Sequence, residues 1–178
     1  MARPKPKQLH PNAIHLTVVS VMRAARFYEE KLGFKMVESF PDAQKPVWAN
    51  LVLGGQSVML GELPSLQQAR ELGMDRAEIE LLKQDARSIA RGQVGVGASY
   101  FVRVDDVDAF ARRLKRRRIK PLTPPKTQFY GLRECQVTDP DGYRLVFFSQ
   151  VASQAAPAVG GNVRVPGARQ ALLFGRHK

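Results

Sequence analysis

Residues 14–33, Ile14-His15-Leu16-Thr17-Val18-Val19-Ser20-Val21-Met22-Arg23-Ala24-Ala25-Arg26-Phe27-Tyr28-Glu29-Glu30-Lys31-Leu32-Gly33, change hydrophobic period partway along. Ile14 to Val19 is an apolar run with β-branched residues, which predicts a strand. From Val21 the apolar residues fall at helical spacing, through Ala24, Ala25, Tyr28 and Leu32, which predicts a helix. Gly33 stands where a helix-ending glycine belongs. Beyond it, Phe34 to Phe40 reads as extended and Val47 to Leu53 as a strand. Gly54-Gly55 then reads as a tight turn, and Gln56 to Glu62 as the returning strand.

The same order recurs downstream. Ser99 to Val104 predicts a strand, and Asp105-Asp106 supplies acidic residues at a helix start. Val107, Phe110, Ala111 and Leu114 form that helix's apolar stripe. Ile119 to Leu122 reads as extended before Pro124-Pro125. Leu132 to Thr138 and Tyr143 to Ser149 are strands joined at Asp139-Pro140-Asp141-Gly142. Between the two stretches, Ser65 can cap a short helix ending at Gly73. Asp75 with Glu78 resembles a capping box, and Ile79, Leu82, Ala86 and Ile89 continue a helical stripe.

The expected layout is one domain over residues 13–150: a first module (13–62), a helical connector (63–96) and a second module (97–150). Residues 1–12 read as a flexible basic arm, and 151–178 as a poorly ordered extension whose Ala171–Phe174 patch could dock. The 178-residue chain is large enough to fold without disulfides or metals. Its one cysteine, Cys135, excludes an intramolecular disulfide and thiolate metal clusters. No apolar run approaches the ~18 residues a membrane span needs. The basic N-terminus lacks the apolar core of a secretory signal, so the expected location is the cytoplasm.

The formal charge of +12 sits in three places. Residues 1–12 contribute +3, residues 97–120 contribute +5, and residues 151–178 contribute +4, so the rest is neutral. A solvated charged face with two solubilising tails is the expected reading. Nucleic-acid binding through the basic helix is the lesser alternative.

The repeated strand–helix–three-strand order and four short motifs resemble the vicinal oxygen chelate superfamily of glyoxalases, bleomycin-resistance proteins and extradiol dioxygenases. The motifs are Ala25-Arg26-Phe27-Tyr28 running into Leu32-Gly33-Phe34; Val104-Asp105-Asp106-Val107-Asp108; Tyr130-Gly131-Leu132-Arg133-Glu134; and Asp139-Pro140-Asp141-Gly142 followed by Tyr143-Arg144-Leu145. The second and third resemble the glyoxalase/bleomycin-resistance branch. This implies an α+β fold, two βαβββ modules forming a half-open β cup, in a homodimer with the site in or beside the cup. It also raises a divalent metal, held by His, Glu or Gln from the first and last strands of each module. The matching positions are His15 (or Ala13), Leu60, Ser99 and Val146, where at most one is a good ligand. A mononuclear site needs at least three. A slipped set of His15, Glu62 and Glu134 is the remaining metal alternative; otherwise no cofactor is expected.

Strand alternation selects the cup-facing side chains. Trp48, Asn50, His15, Phe101, Arg103, Glu134 and Gln136 are expected to face the cup, with Val146 and Phe148. Tyr130 and Arg133 sit on a loop entering a strand, where binding residues concentrate. With Glu62, these are the candidate ligand-binding residues, and the catalytic residues are unknown. Trp48 reads equally as a core or interface aromatic, and Arg103 as an ion-pair partner of Glu134 or Glu62. Cys135 is expected to be a buried, inert thiol. His10 and His177 are tail histidines, expected to be solvated. The leading functional reading is capture of a small, moderately polar organic molecule without catalysis; a metal-dependent lyase or dioxygenase is the alternative.

The basic helix yields a test. It lies outside the cup in the expected fold, so changing Arg113, Arg116 and Arg117 to Gln should leave small-molecule capture intact. Any polynucleotide binding should weaken, with a salt slope lowered by up to about three units, one per lost phosphate contact.

Overall fold

The computed structural model describes residues 13–151, so the arm, the extension, Ala171–Phe174, His10 and His177 lie outside the described residues. The first module runs β1 (Ile14–Val18), α1 (Val21–Arg26), β2 (Lys35–Phe40), β3 (Trp48–Leu53) and β4 (Gln56–Glu62). The second runs β5 (Tyr100–Arg103), α4 (Val107–Arg116), β6 (Thr123–Thr127), β7 (Leu132–Thr138) and β8 (Arg144–Gln150). Between them lie α2 (Leu66–Glu71) and α3 (Arg76–Ala90). Each module makes a four-stranded mixed sheet, ordered β1-β4-β3-β2 and β5-β8-β7-β6. The first strand of each pairs in parallel with the last. The fold is α+β, as the resemblance implies, and each module has its first strand on one sheet edge.

Local signals set the helix ends. The Ser20 hydroxyl accepts from Arg23 N–H, and the Asp106 carboxylate accepts from Asp108 and Ala109 N–H. After Arg26 the first helix widens into a π-helical stretch, Phe27–Leu32, and stops at Gly33, whose φ of 90° suits glycine. Capping boxes form at Ser65/Gln68 and Asp75/Glu78. Among the described residues no helix is long and apolar enough to cross a membrane.

One strand departs from the expected pattern. The sequence reading placed extended chain at Ile119–Leu122 and let the prolines end it. The strand instead occupies Thr123–Thr127 and runs through Pro124-Pro125. Strand β6 is a sheet edge, where a missing N–H removes no ladder bond, and its pairing with β7 shifts register between Thr123 and Lys126.

The core lies between the sheets and α1 and α4, and draws on both modules. Leu16, Val18, Leu51, Leu60, Tyr28 and Leu32 from the first pack in one cluster with Val102, Phe110, Leu114, Cys135, Leu145 and Phe147 from the second. The Phe110 and Phe147 rings stack with centroids 4.1 Å apart. Tyr28, fully buried, donates its hydroxyl to Asp139 Oδ2 at 3.0 Å, bridging the first helix to the last hairpin.

The basic helix is more than a solvated face. Arg113 lies over the Phe110 ring, its guanidinium carbon 5.0 Å from the centroid, and reaches Leu32 O. Arg117 donates to Lys31 O at 3.0 Å. These side chains satisfy carbonyls at the end of the first helix, which have no partner within it. The triple Gln variant would therefore disturb the fold as well as the charge. Arg113→Ala should cost about 1–2 kcal/mol, from the lost ring contact and carbonyl bond. Arg116→Ala, exposed and without such a contact, should stay within about 0.5 kcal/mol. Urea unfolding of the two variants checks this.

Candidate functional site

The strand registers settle which side chains share the inner face. In the first module His15 pairs with Met59 and Thr17 with Gly61, while Asn50 and Trp48 oppose the same two β4 residues. Leu16, Val18, Ala49, Leu51, Val58 and Leu60 point the other way, into the core. In the second module Phe101 pairs with Val146 and Arg103 with Phe148; Gln136 and Glu134 oppose these β8 residues. The inner face thus gathers His15, Trp48, Asn50, Phe101, Arg103, Glu134 and Gln136.

Two candidates lie elsewhere. Glu62 pairs with Val18 and shares its face with Leu60, on the helix side of β4. Its Oε1 accepts the Val21 N–H at 2.7 Å, at the first helix's N-terminus, where a carboxylate is favoured. Arg133 alternates with Glu134 and faces outward, where its Nη2 donates to Asp108 Oδ1 at 2.8 Å. That bond holds the Asp108 carboxyl below its usual range. Position Leu60, projected from the resemblance as an inner-face ligand position, is fully buried core.

The slipped metal set therefore does not assemble on one face: His15 looks inward and Glu62 toward the helix. On the inner face His15 and Glu38, which pairs with Asn50, come from the first module, and Glu134, which pairs with Phe148 and Lys126, comes from the second. Among the described residues no group of three or more His, Cys, Asp or Glu side chains could hold a metal ion. This donor set does not fit the divalent metal of the family's enzymes.

His15 has a specific seat. A Cβ built on Gly61 would stand 2.6 Å from His15 Nε2 and 3.8 Å from the Trp48 ring. The imidazole thus lies across the bare backbone of Gly61, beside the indole. Desolvation there lowers the His15 pKa, which favours the neutral ring. Asn50, 3% exposed, accepts from the Ser57 hydroxyl. Across the face, the Glu134 carboxylate is 4% exposed and accepts the Tyr130 hydroxyl at 2.8 Å. That bond raises the Tyr130 pKa. Phe101, 46% exposed, meets Phe148 edge to face at 6.0 Å. The ion pairs among the described residues join Arg23–Asp141, Lys83–Glu80, Arg112–Asp106 and Arg133–Asp108, so Arg103 is paired with neither Glu134 nor Glu62. The Cys135 thiol is fully buried, and burial pushes its pKa up to about 11, which removes it as a nucleophile at neutral pH.

The connector contributes what sequence reasoning missed. A cavity of 330 Å³ opens where β1 and β4 meet α3, bounded by His15, Thr17, Gly61 and Glu62 on one side and Met74, Glu78, Leu81, Leu82 and Asp85 on the other, so Glu62 borders it together with His15. The α3 stripe was legible, but its destination beside the His15 edge of the inner face was not.

A family described as the Glyoxalase/Bleomycin resistance protein/Dioxygenase superfamily matches residues 10–147. No curated protein sequence matches the chain. TioX from Micromonospora sp. ML1 is 20% identical, with a TM-score of 0.58 over 78% of this chain and 97% of its own. TnmS3, an antibiotic binding protein from Streptomyces sp. CB03234, is 21% identical, with a TM-score of 0.54 over 83% of this chain and all of its own. A glyoxalase/bleomycin resistance protein/dioxygenase from Nocardioides is 18% identical, with a TM-score of 0.53 over 89% of this chain and 93% of its own. At these identities the structures share the fold.

The seat of His15 yields a prediction. Gly61→Ala must displace the imidazole, which sits at the end of a mobile side chain and can swing into water. Its pKa should then rise toward the ordinary histidine value, because the cause of the lowering is desolvation. NMR titration of the His15 ring in wild type and variant checks this; an unchanged midpoint would mean the ring does not lie over Gly61.

Proposed function

Since the chain belongs to the Glyoxalase/Bleomycin resistance protein/Dioxygenase superfamily, we propose that it is a bleomycin-resistance-like protein that captures a small organic molecule on its inner face, without metal and without catalysis. The inner face carries the reading: Trp48, Phe101 and Phe148 offer apolar planar surface beside the buried polar groups of Asn50 and Glu134. That mixture suits a moderately polar ligand with an aromatic or planar part. The candidate donors on this face, the His15 imidazole with the Glu38 and Glu134 carboxylates, do not come together as a group of three among the described residues, and a catalytic metal needs three. Likeness of fold to TnmS3, itself an antibiotic binding protein, supports the same kind of role. The ligand is held by stacking on the rings and oriented by the Asn50 amide and the Glu134 carboxylate. The reading includes a homodimer whose second copy covers the exposed rings of Phe101 and Tyr130.

Trp48 is the only tryptophan in the chain, so its fluorescence reports the inner face directly. Titrating bleomycin and a panel of planar aromatic antibiotics in the presence of a chelator should reveal saturable binding, with the ligand recovered chemically unchanged. Phe101→Ala should weaken that binding about tenfold, the size of a typical aromatic anchor. Elemental analysis showing near one divalent metal per chain, or a chemically altered ligand, would move the reading to the metal-dependent lyase or dioxygenase alternative. Sedimentation at micromolar concentration should give twice 19.9 kDa.

A further inference from the structure

The structure brings together two basic segments that lie about eighty residues apart in sequence. The bonds from Arg113 and Arg117 to Leu32 O and Lys31 O seat the end of α4 against the end of the first helix. Lys31 from the first module thereby joins Arg113, Arg116, Arg117 and Arg118 from the second. Arg116 and Arg118 are exposed. None of the five is in an ion pair among the described residues. The cations also repel one another: Arg116 and Arg117 both lower the pKa of Arg113, adding to desolvation.

Magnitudes decide whether local structure absorbs this charge. Each helix C-terminus carries about half a negative charge, so two ends account for about one of the five cations. Glu29 and Glu30, on the last turns of the first helix, account for two more, and Glu29 also accepts the Met36 N–H. About two positive charges remain uncompensated. Four of the five cations are arginines, whose planar donors match phosphate oxygens in pairs.

We propose that this composite patch, from Lys31 to Arg118, binds the phosphate backbone of nucleic acid without reading its sequence. It lies on the helix side of the sheets, away from the inner face, so it is independent of the small-molecule reading. Consecutive backbone phosphates present the repeated anions that such an arginine-rich surface can engage, and the chain's net charge of +12 steers them toward it.

The test is fluorescence anisotropy with a labelled 30-nucleotide mixed-sequence single-stranded DNA, at 50–200 mM salt. The protein is the full 178-residue chain, so the basic end segments are present throughout. The double variant Arg116→Glu/Arg118→Glu spares Arg113 and Arg117, which support the fold; circular dichroism confirms that it is folded. Wild type should bind with a dissociation constant of about 1–100 μM near physiological salt. The double variant should bind at least tenfold more weakly, with a salt slope reduced by about 1.4 units, about 0.7 per lost contact to a single strand. The control Arg70→Glu on α2 should leave both unchanged. Absence of binding by wild type would overturn the proposal. So would a folded double variant with wild-type affinity, which would assign the binding to the end segments. Equal loss in the Arg70→Glu control would overturn it too, by showing that net charge rather than the patch is read.

Discussion

Each module leaves its first strand on a sheet edge, and that edge must be satisfied. Strands β1 and β5 both pair on one side only, so their outer N–H and C=O groups need partners from elsewhere. The opposite module supplies them from its returning hairpin. Gln56, at the start of β4, donates its side-chain N–H to Phe101 O and accepts the Arg103 N–H, bridging two groups of β5. Tyr143, just before β8, donates its hydroxyl to Thr17 O, and Asp141 accepts the Val19 N–H. Gln56 and Tyr143 hold equivalent places in the two modules, each the first residue after its hairpin turn. The reciprocal exchange fixes the two sheets relative to each other.

That exchange makes the functional face. With both edges tied, the core faces of the sheets close over one shared apolar cluster, and the opposite faces turn together toward solvent. Polar groups can survive on that side because they are paired: Asn50 with Ser57, Glu134 with Tyr130. A hydrogen-bonded buried polar group costs little, whereas an orphan would cost about 1–3 kcal/mol. The same logic applies to Glu62 at the end of β4. Its carboxylate is committed to the Val21 N–H, as Ser149 in the second module is to the Val107 N–H. Equivalent positions in the two modules thus do the same job, tying the last strand to the helix N-terminus.

The arginines of α4 show one side chain serving two ends. Arg113 and Arg117 close the carbonyl end of the first helix, which adds to the coupling between modules. Their positions also concentrate cations where the two helices finish. The basic segment visible in the sequence is therefore partly structural, and its remaining charge is joined by Lys31 from a distant part of the chain.

Much of the fold was legible in the sequence because its signals are local. The change of period at Ser20, the glycine after Leu32, the paired turns at Gly54-Gly55 and Asp139–Gly142, the Ser65 cap and the Asp75/Glu78 capping box each act within a few residues, and all appear where the sequence places them. Alternation along β1, β3, β5 and β7 also identified most of the inner-face residues, since strand side chains alternate by geometry alone. What the sequence could not decide depended on pairing. Whether Leu60 and Glu62 faced inward rested on the register of β4 against β1, and a one-residue difference in register reverses every side chain. The strand through Pro124-Pro125 depended on β6 being an edge. The closeness of Lys31 to Arg117, and of α3 to His15, depended on helices packed from distant segments. Local propensity carries no information about such neighbours; only the satisfaction of backbone groups and apolar area across the whole chain selects them.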